Sequence, residues 1–91
     1  MDRTFYQVYR NGRIMEGCSW SMRRTAIDIM RIEIECEIEE LKRTHSDSQF
    51  TIDVDEEKGI GTIDEYVYDE KQDKDYWNLD ISKYEVREFI R

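Results

Sequence analysis

An uninterrupted stretch without glycine or proline, running from Met22 to about Thr44, constrains the fold of this chain more than any other feature. Its apolar residues recur at spacings of three and four, which is the pattern of one face of an amphipathic helix. They are Ile27, Met30, Ile34, Ile38 and Leu41. A helix of about 22 residues is ~33 Å long at ~1.5 Å per residue. Its apolar stripe needs a second layer of structure to cover it.

The same stretch carries a competing pattern. Between residues 32 and 39, apolar side chains alternate with four glutamates, which is the period of a strand. We favour the helix because glutamate is depleted in strands, and four carboxylates on one strand face would repel each other. Ser19 and Ser21, just before the stretch, have hydroxyl groups suited to capping the helix.

A β-hairpin is predicted before the helix. Two segments rich in β-forming residues, 5–10 and 13–18, are separated only by Asn11 and Gly12. This dipeptide suits a type I′ turn, which needs two residues with positive φ and matches the twist of the strands. Pairing Arg10 with Arg13 would place Phe5, Tyr9, Ile14 and Cys18 on one face, and Tyr6, Val8 and Met15 on the other.

After the helix, the pattern predicts further strands. Residues 49–55 alternate apolar and polar side chains, residues 56–59 form a turn, and residues 60–68 return as the partner strand. Residues 69–75 read as a solvated connection, and Trp77, Leu79 and Ile81 alternate again. The sequence does not decide the secondary structure of the last segment. Residues 82–85 have the spacing of a capping box, which favours a helix, whereas later side chains also suit a strand. We expect an α+β fold, ββαβββ, with four to five antiparallel strands, one long helix on one face, and a short C-terminal helix as the alternative ending.

Composition favours a folded chain. The 91 residues include 22 Asp and Glu against 14 Lys and Arg, for a net charge of −8, and 12% are aromatic. Disordered chains of high net charge usually lack such aromatic content, so we expect one domain spanning residues 1–91. No apolar run approaches the ~18–20 residues that cross a membrane, and the N-terminus does not resemble a signal peptide. With Cys18 and Cys36 expected as reduced thiols, these features predict a cytoplasmic protein.

The charge is distributed unevenly. Residues 1–31 contain six arginines and three acids, whereas residues 32–91 contain 19 acids and eight bases. On a helical wheel, one acidic flank comprises Glu33, Glu37 and Glu40, and the other comprises Asp28, Glu35 and Glu39. An apolar strip of Ile29, Ile32 and Cys36 lies between the flanks, opposite the core stripe. Either the acids form an ordinary solvated face, or the strip and its carboxylates form a contact surface with an apolar centre and a polar rim.

No motif for catalysis, cofactor binding or metal binding stands out. Residues 53–64 superficially suggest a calcium loop, but Lys58 occupies the position that needs glycine, so a hairpin turn is the better interpretation. His45 is the only histidine, neither cysteine lies in a known signature, and no glycine-rich phosphate loop is present. We therefore expect no enzyme and no cofactor. Direct nucleic-acid binding is disfavoured by the net charge, because affinity for phosphates comes from Lys and Arg.

In size, acidity and lack of motifs, the chain resembles the small inhibitors that bacteriophages and mobile elements encode against host nucleases and defence systems. This resemblance is one of composition and covers no particular motif. It implies a binding protein, in the host cytoplasm if phage-encoded, whose carboxylates stand in for phosphates on a basic or nucleic-acid-handling partner. The expected contact residues are Glu33, Glu37, Glu40, Asp53, Asp55, Glu56 and Glu57, with Ile29 and Ile32 as apolar anchors.

Two alternatives remain open from the sequence. The first is a homodimeric accessory or structural protein in which Ile29, Ile32 and Cys36 bury against a second copy. The second is a binder of a small anionic ligand or nucleotide. That site would use Arg10, Arg13, Arg23 or Arg24 with an aromatic residue such as Trp20.

Overall fold

The computed structural model describes residues 3–15 and 19–90, in which one helix lies across a five-stranded antiparallel sheet. The elements in chain order are β1 (Thr4–Arg10), β2 (Arg13–Ile14), α1 (Arg23–Thr44), β3 (Ser48–Asp55), β4 (Ile60–Asp69) and β5 (Lys74–Ile90). The strands lie in the order β2-β1-β5-β4-β3. The predicted α+β fold and its ββαβββ order are confirmed.

The hairpin of β1 and β2 forms around the turn that its sequence predicts. Asn11 has φ 51° and Gly12 has φ 81°, as a type I′ turn requires, and Arg10 pairs with Arg13. Asn11 also joins the turn to β5: its N–H donates to the carbonyl of Lys83 at 2.7 Å, and its Oδ1 accepts from the N–H of Lys83 at 2.8 Å. Strand β2 has only two residues, and the face predicted for Cys18 lies outside the described residues.

The start of α1 differs from expectation. Met22 is the N-cap and makes no side-chain cap hydrogen bond, so capping by Ser19 or Ser21 was wrong. The first turn is instead tied to the β3–β4 turn. The Nη2 of Arg23 donates to the carbonyl oxygens of Glu56 at 2.5 Å and Glu57 at 2.8 Å. A tertiary contact therefore holds the helix start where a local one was predicted.

The C-terminal segment is a strand, so of the two endings that the sequence left open, the short helix with a capping box at residues 82–85 is not formed. Strand β5 runs for 17 residues between β1 and β4, pairing Val86 with Val8 and Tyr84 with Gly61. A helix in this position would leave the backbone groups of two neighbouring strands without partners, which is costly in a partly buried sheet. Sheet pairing therefore overrides the local helix signal.

The core lies between α1 and the centre of the sheet. Its buried apolar residues are Val8, Ala26, Ile27, Met30, Ile34, Ile38, Ile63 and Tyr84. Four of the five stripe residues of the helix are among them, and Leu41 is partly buried at the edge. Helix and sheet approach closely at Gly61, where a Cβ atom would lie 2.5 Å from the Cδ1 of Ile34.

The sheet is longer than the helix that covers it. The molecule measures 61 × 21 × 18 Å, whereas a 22-residue helix is only ~33 Å long. The ends of β4 and β5 extend as a hairpin beyond β3, whose pairing with β4 stops at Ser48 and Val67. We call residues 65–79 the arm, of which residues 65–67 still pair with β3. Its base carries a β-bulge, where Asp80 has φ 53° and its N–H donates to Oδ1 of Asp64 at 2.7 Å. Bulges of this kind bend a strand and increase its twist.

We expect Gly61→Ala to lower the free energy of unfolding by about 1–3 kcal/mol, because the added methyl group overpacks the core against Ile34. Ile34→Val removes the clashing Cδ1 atom and by itself costs about 0.5–1.5 kcal/mol. The double variant should lose less stability than the sum of the two single variants. Urea unfolding of all four proteins measures this coupling, and simple additivity would contradict the close packing.

Candidate functional site

Glu37, predicted as a contact residue, is engaged inside the protein. Its carboxylate accepts hydrogen bonds from the hydroxyl of Tyr84 at 2.6 Å, from Nε of Arg10 at 2.6 Å, and from the hydroxyl of Ser82. The side chain is only 13% exposed. Burial opposes its ionisation, but the donated hydrogen bonds outweigh burial and lower the pKa of the carboxyl. Glu37 thus joins α1 to β1 and β5 and has little surface to offer a partner.

Glu56 has a similar internal role at the β3–β4 turn. Its carboxylate pairs with Arg24 at 2.9 Å and Arg31 at 2.7 Å, and these two guanidinium groups lower its pKa to about 2. Arg24 also pairs with Asp28 at 2.7 Å. Arg24, Asp28 and Arg31 of the helix thus form a mixed-charge cluster with Glu56, and this cluster joins the β3–β4 turn to the helix.

The remaining glutamates of the helix are different. In residues 3–15 and 19–90, no Lys or Arg nitrogen lies within 4.0 Å of the carboxylates of Glu33, Glu35, Glu39 or Glu40. Glu33 is half-buried, and the other three side chains are exposed.

Exposed apolar side chains lie between these glutamates. Ile32 is 52% exposed and Cys36 is also exposed, whereas Ile29 is partly buried against the core. We call Glu33, Glu35, Glu39, Glu40, Ile32 and Cys36 the acidic helix face. The strip predicted from the helical wheel is therefore exposed at two of its three positions.

The acids of β3 lie on another side of the molecule. Val54 packs against the core, so the alternating neighbours Asp53 and Asp55 lie on the sheet face away from the helix. Asp55 accepts a hydrogen bond from the N–H of Lys58 at 3.1 Å, as expected for a hairpin turn. Glu57 is exposed in that turn. The predicted contact residues thus do not form one continuous surface.

The arginines predicted for an anion site also separate. Arg10 pairs with Glu37, whereas Arg23 and Arg24 bind the β3–β4 turn. Trp20 is half-buried, and its backbone N–H and carbonyl exchange hydrogen bonds with Tyr6. These side chains therefore serve different contacts and do not converge on one pocket.

The arm is the surface that sequence reasoning missed. Tyr68, Tyr76 and Trp77 are 49%, 47% and 50% exposed, and Leu79 is 71% exposed. The rings of Tyr66 and Trp77 lie 5.2 Å apart and are tilted by 58°. The available signal was the density of aromatic residues on both sides of the charged segment 69–75. The alternating pattern instead predicts ordinary strands for the flanking residues, and the charged segment reads as a solvated connection.

The described residues contain neither a metal-binding cluster nor a helix that could cross a membrane. Within the described ranges, no group of three or more His, Cys, Asp or Glu side chains is arranged to hold a metal ion. No helix in the described part of the chain is both long enough and apolar enough to span a lipid bilayer. Comparisons with protein-family models, curated proteins and solved structures found no match for this chain.

We expect Glu37→Gln to lower the free energy of unfolding at pH 7 by about 1.5–3 kcal/mol, the range for hydrogen bonds to a charged group. Because folding lowers the pKa of Glu37, its contribution is present above the ordinary value of 4.5 and is lost as pH falls through the lowered pKa. The gap between wild type and variant should therefore narrow in acid. Glu33→Gln, one turn away and without an ion pair, is the control in urea titrations. Equal losses from both variants would contradict the role of Glu37.

Proposed function

We propose that this protein is a small acidic binding module that inhibits a basic or nucleic-acid-handling protein, of the type that phages and mobile elements direct against host defences. In the complex, carboxylates of the acidic helix face would occupy sites that otherwise receive phosphates. The observation that supports this function is a set of four glutamates around the exposed Ile32 that have no ion pair within the described residues, in a protein that pairs Glu37 and Glu56 with arginines.

The repulsion between these glutamates lowers the stability of the helix. Glu35 and Glu39 lie four residues apart on the helix, and such like-charged pairs destabilise a helix by about 0.2–0.5 kcal/mol each. Places where a sequence departs from its own local rules are expected at functional sites. The departure here lies on the solvent side of the helix, away from the core.

The charge density of this face is comparable to that of one nucleic-acid strand. The four carboxylates fall within seven helical steps, ~10 Å along the axis, so their mean spacing is ~3.5 Å. Each strand of double-stranded DNA carries one charge per ~3.4 Å of axis. Such a field attracts a basic partner before contact and speeds association, and Ile32 with Cys36 supplies an apolar centre.

A homodimer through the same face is the competing hypothesis. The exposure of Ile32 and Cys36 would also suit burial against a second copy. A two-fold contact there would bring the glutamates of both copies together at the rim, and like charges at an interface are costly. Charge therefore favours a basic partner over a second copy.

We expect Ile32→Lys to abolish capture of the partner, because the substitution removes the apolar centre and reverses the local charge. Immobilised wild type should retain a basic protein from a lysate of the host cell. Its retention should fall as salt rises from ~50 to ~300 mM, since salt screens exposed charges. Mass spectrometry identifies the protein, and its nucleic-acid binding is then measured with and without this chain.

Ile14→Lys is the matched control, since Ile14 is 53% exposed and pairs with Tyr9, which places its side chain on the sheet face away from the helix. It adds the same charge and should leave capture intact. Equal loss in both variants, or capture that is insensitive to salt, would contradict the proposed function. Light scattering tests the competing hypothesis, because a wild-type dimer that Ile32→Lys converts to a monomer would favour self-association.

A further inference from the structure

Most side chains of the arm are exposed to solvent and do not contribute to the hydrophobic core. Among the described residues, positions 70–80 are all exposed, and none of the arm's side chains belongs to the buried core. Four of the 11 aromatic residues of the chain nevertheless lie between positions 66 and 77. Exposed aromatic side chains at this density mark a binding surface more often than a structural one.

One side of the arm combines aromatic rings with carboxylates. On the sheet face away from the helix lie Tyr66, Tyr68 and Trp77, and the hydroxyl of Tyr66 donates to Asp75. The hydroxyl of Tyr68 donates to Asp73 at 2.6 Å. These hydrogen bonds hold two rings in place and put a carboxylate at the edge of each. We call these five residues the aromatic face of the arm.

The negative charge of the arm indicates which class of ligand it can bind. Residues 65–79 contain five acids and two lysines. Surfaces that stack nucleic-acid bases combine aromatic rings with positive charge, which tracks the phosphates. A second copy would bring two negatively charged arms together. We therefore expect the arm to bind a cationic group, because such a group is attracted both by the face of an aromatic ring and by a carboxylate.

The protein already uses this combination once on the same sheet face. The guanidinium of Arg87 lies 4.1 Å from the centre of the Tyr9 ring and pairs with the carboxylate of Glu85. Arginine is suited to such contacts because its planar group stacks on a ring while its N–H groups reach an acid. On the arm, the rings and the acids are present, and among residues 3–15 and 19–90 no arginine lies over the exposed rings.

We propose that the aromatic face of the arm binds arginine side chains of a basic polypeptide segment. A guanidinium stacks on Trp77 or Tyr68 and donates hydrogen bonds to Asp73 or Asp75. The basic character of the occupant rests on the proposed function, but the surface is separate from the acidic helix face. The arm thus extends recognition of a basic partner to a second surface.

The test is a titration of the full chain with a fluorescently labelled peptide of eight arginines, followed by anisotropy. The double variant Tyr68→Ala with Trp77→Ala should bind about tenfold more weakly, the range expected for losing cation–π contacts. Net charge is unchanged, so general electrostatic attraction is preserved. Tyr76→Ala removes a ring of similar exposure from the opposite side of the arm and should bind as wild type does. Unchanged circular dichroism and urea midpoints establish that the variants fold.

Each other outcome overturns the proposal. Equal affinity of wild type and double variant would show binding by charge alone, and equal loss from Tyr76→Ala would remove the assignment to this face. Tighter binding of an eight-nucleotide oligothymidine would indicate a base-stacking surface, and a dimer lost in the double variant would indicate self-association. The double variant differs from wild type only in the arm, so the loss of affinity between the two reports on the arm even if the peptide also contacts the acidic helix face. The Ile32→Lys test can therefore fail while the arm is supported, and the arm test can fail while Ile32→Lys succeeds.

Discussion

The structure depends on a single helix that must cover a larger sheet. Helix α1 can bury one face of the sheet over about half of its length, and the core forms where they meet, with Ile34 against Gly61. In the part of the chain that the structure describes, the single helix leaves its own outer side and the opposite face of the sheet without a covering layer. The acidic helix face lies on the first of these surfaces and the aromatic face of the arm lies on the second, so the side chains of both are available to another molecule.

Carboxylates serve two purposes in this protein, and their surroundings separate them. Glu37 and Glu56 accept hydrogen bonds from arginines and join the helix to the sheet, and the pKa of each is lowered. The glutamates of the acidic helix face lack such partners in the part of the chain that the structure describes. An acid that pairs with an arginine inside the protein is not available to a partner, so the count of 22 Asp and Glu overstates the carboxylates that a partner could meet, while the net charge of −8 is unaffected by such pairing.

Local signals predicted much of this fold because they act over a few residues. The turn at Asn11 and Gly12 needs positive φ, so it specified both the hairpin and its register. Local signals did not predict the structure where contacts with a distant segment of the chain determine it. Residues 82–85 have the spacing of a capping box, yet they fill the central strand because β1 and β4 both require a partner there. The role of Glu37 was missed for the same reason, since its donors lie on β1 and β5.

The sequence by itself determined the element order, the helix face that becomes buried and the uneven distribution of charge, because periodicity and composition are properties of the chain alone. Only the tertiary structure decided which acids are paired and which sides of the sheet they occupy. It also decided that Trp77 and Tyr68 are exposed. An alternating strand pattern predicts two faces, but which of them the helix covers is decided only when the helix packs on the sheet, and Trp77 and Tyr68 lie on the uncovered face.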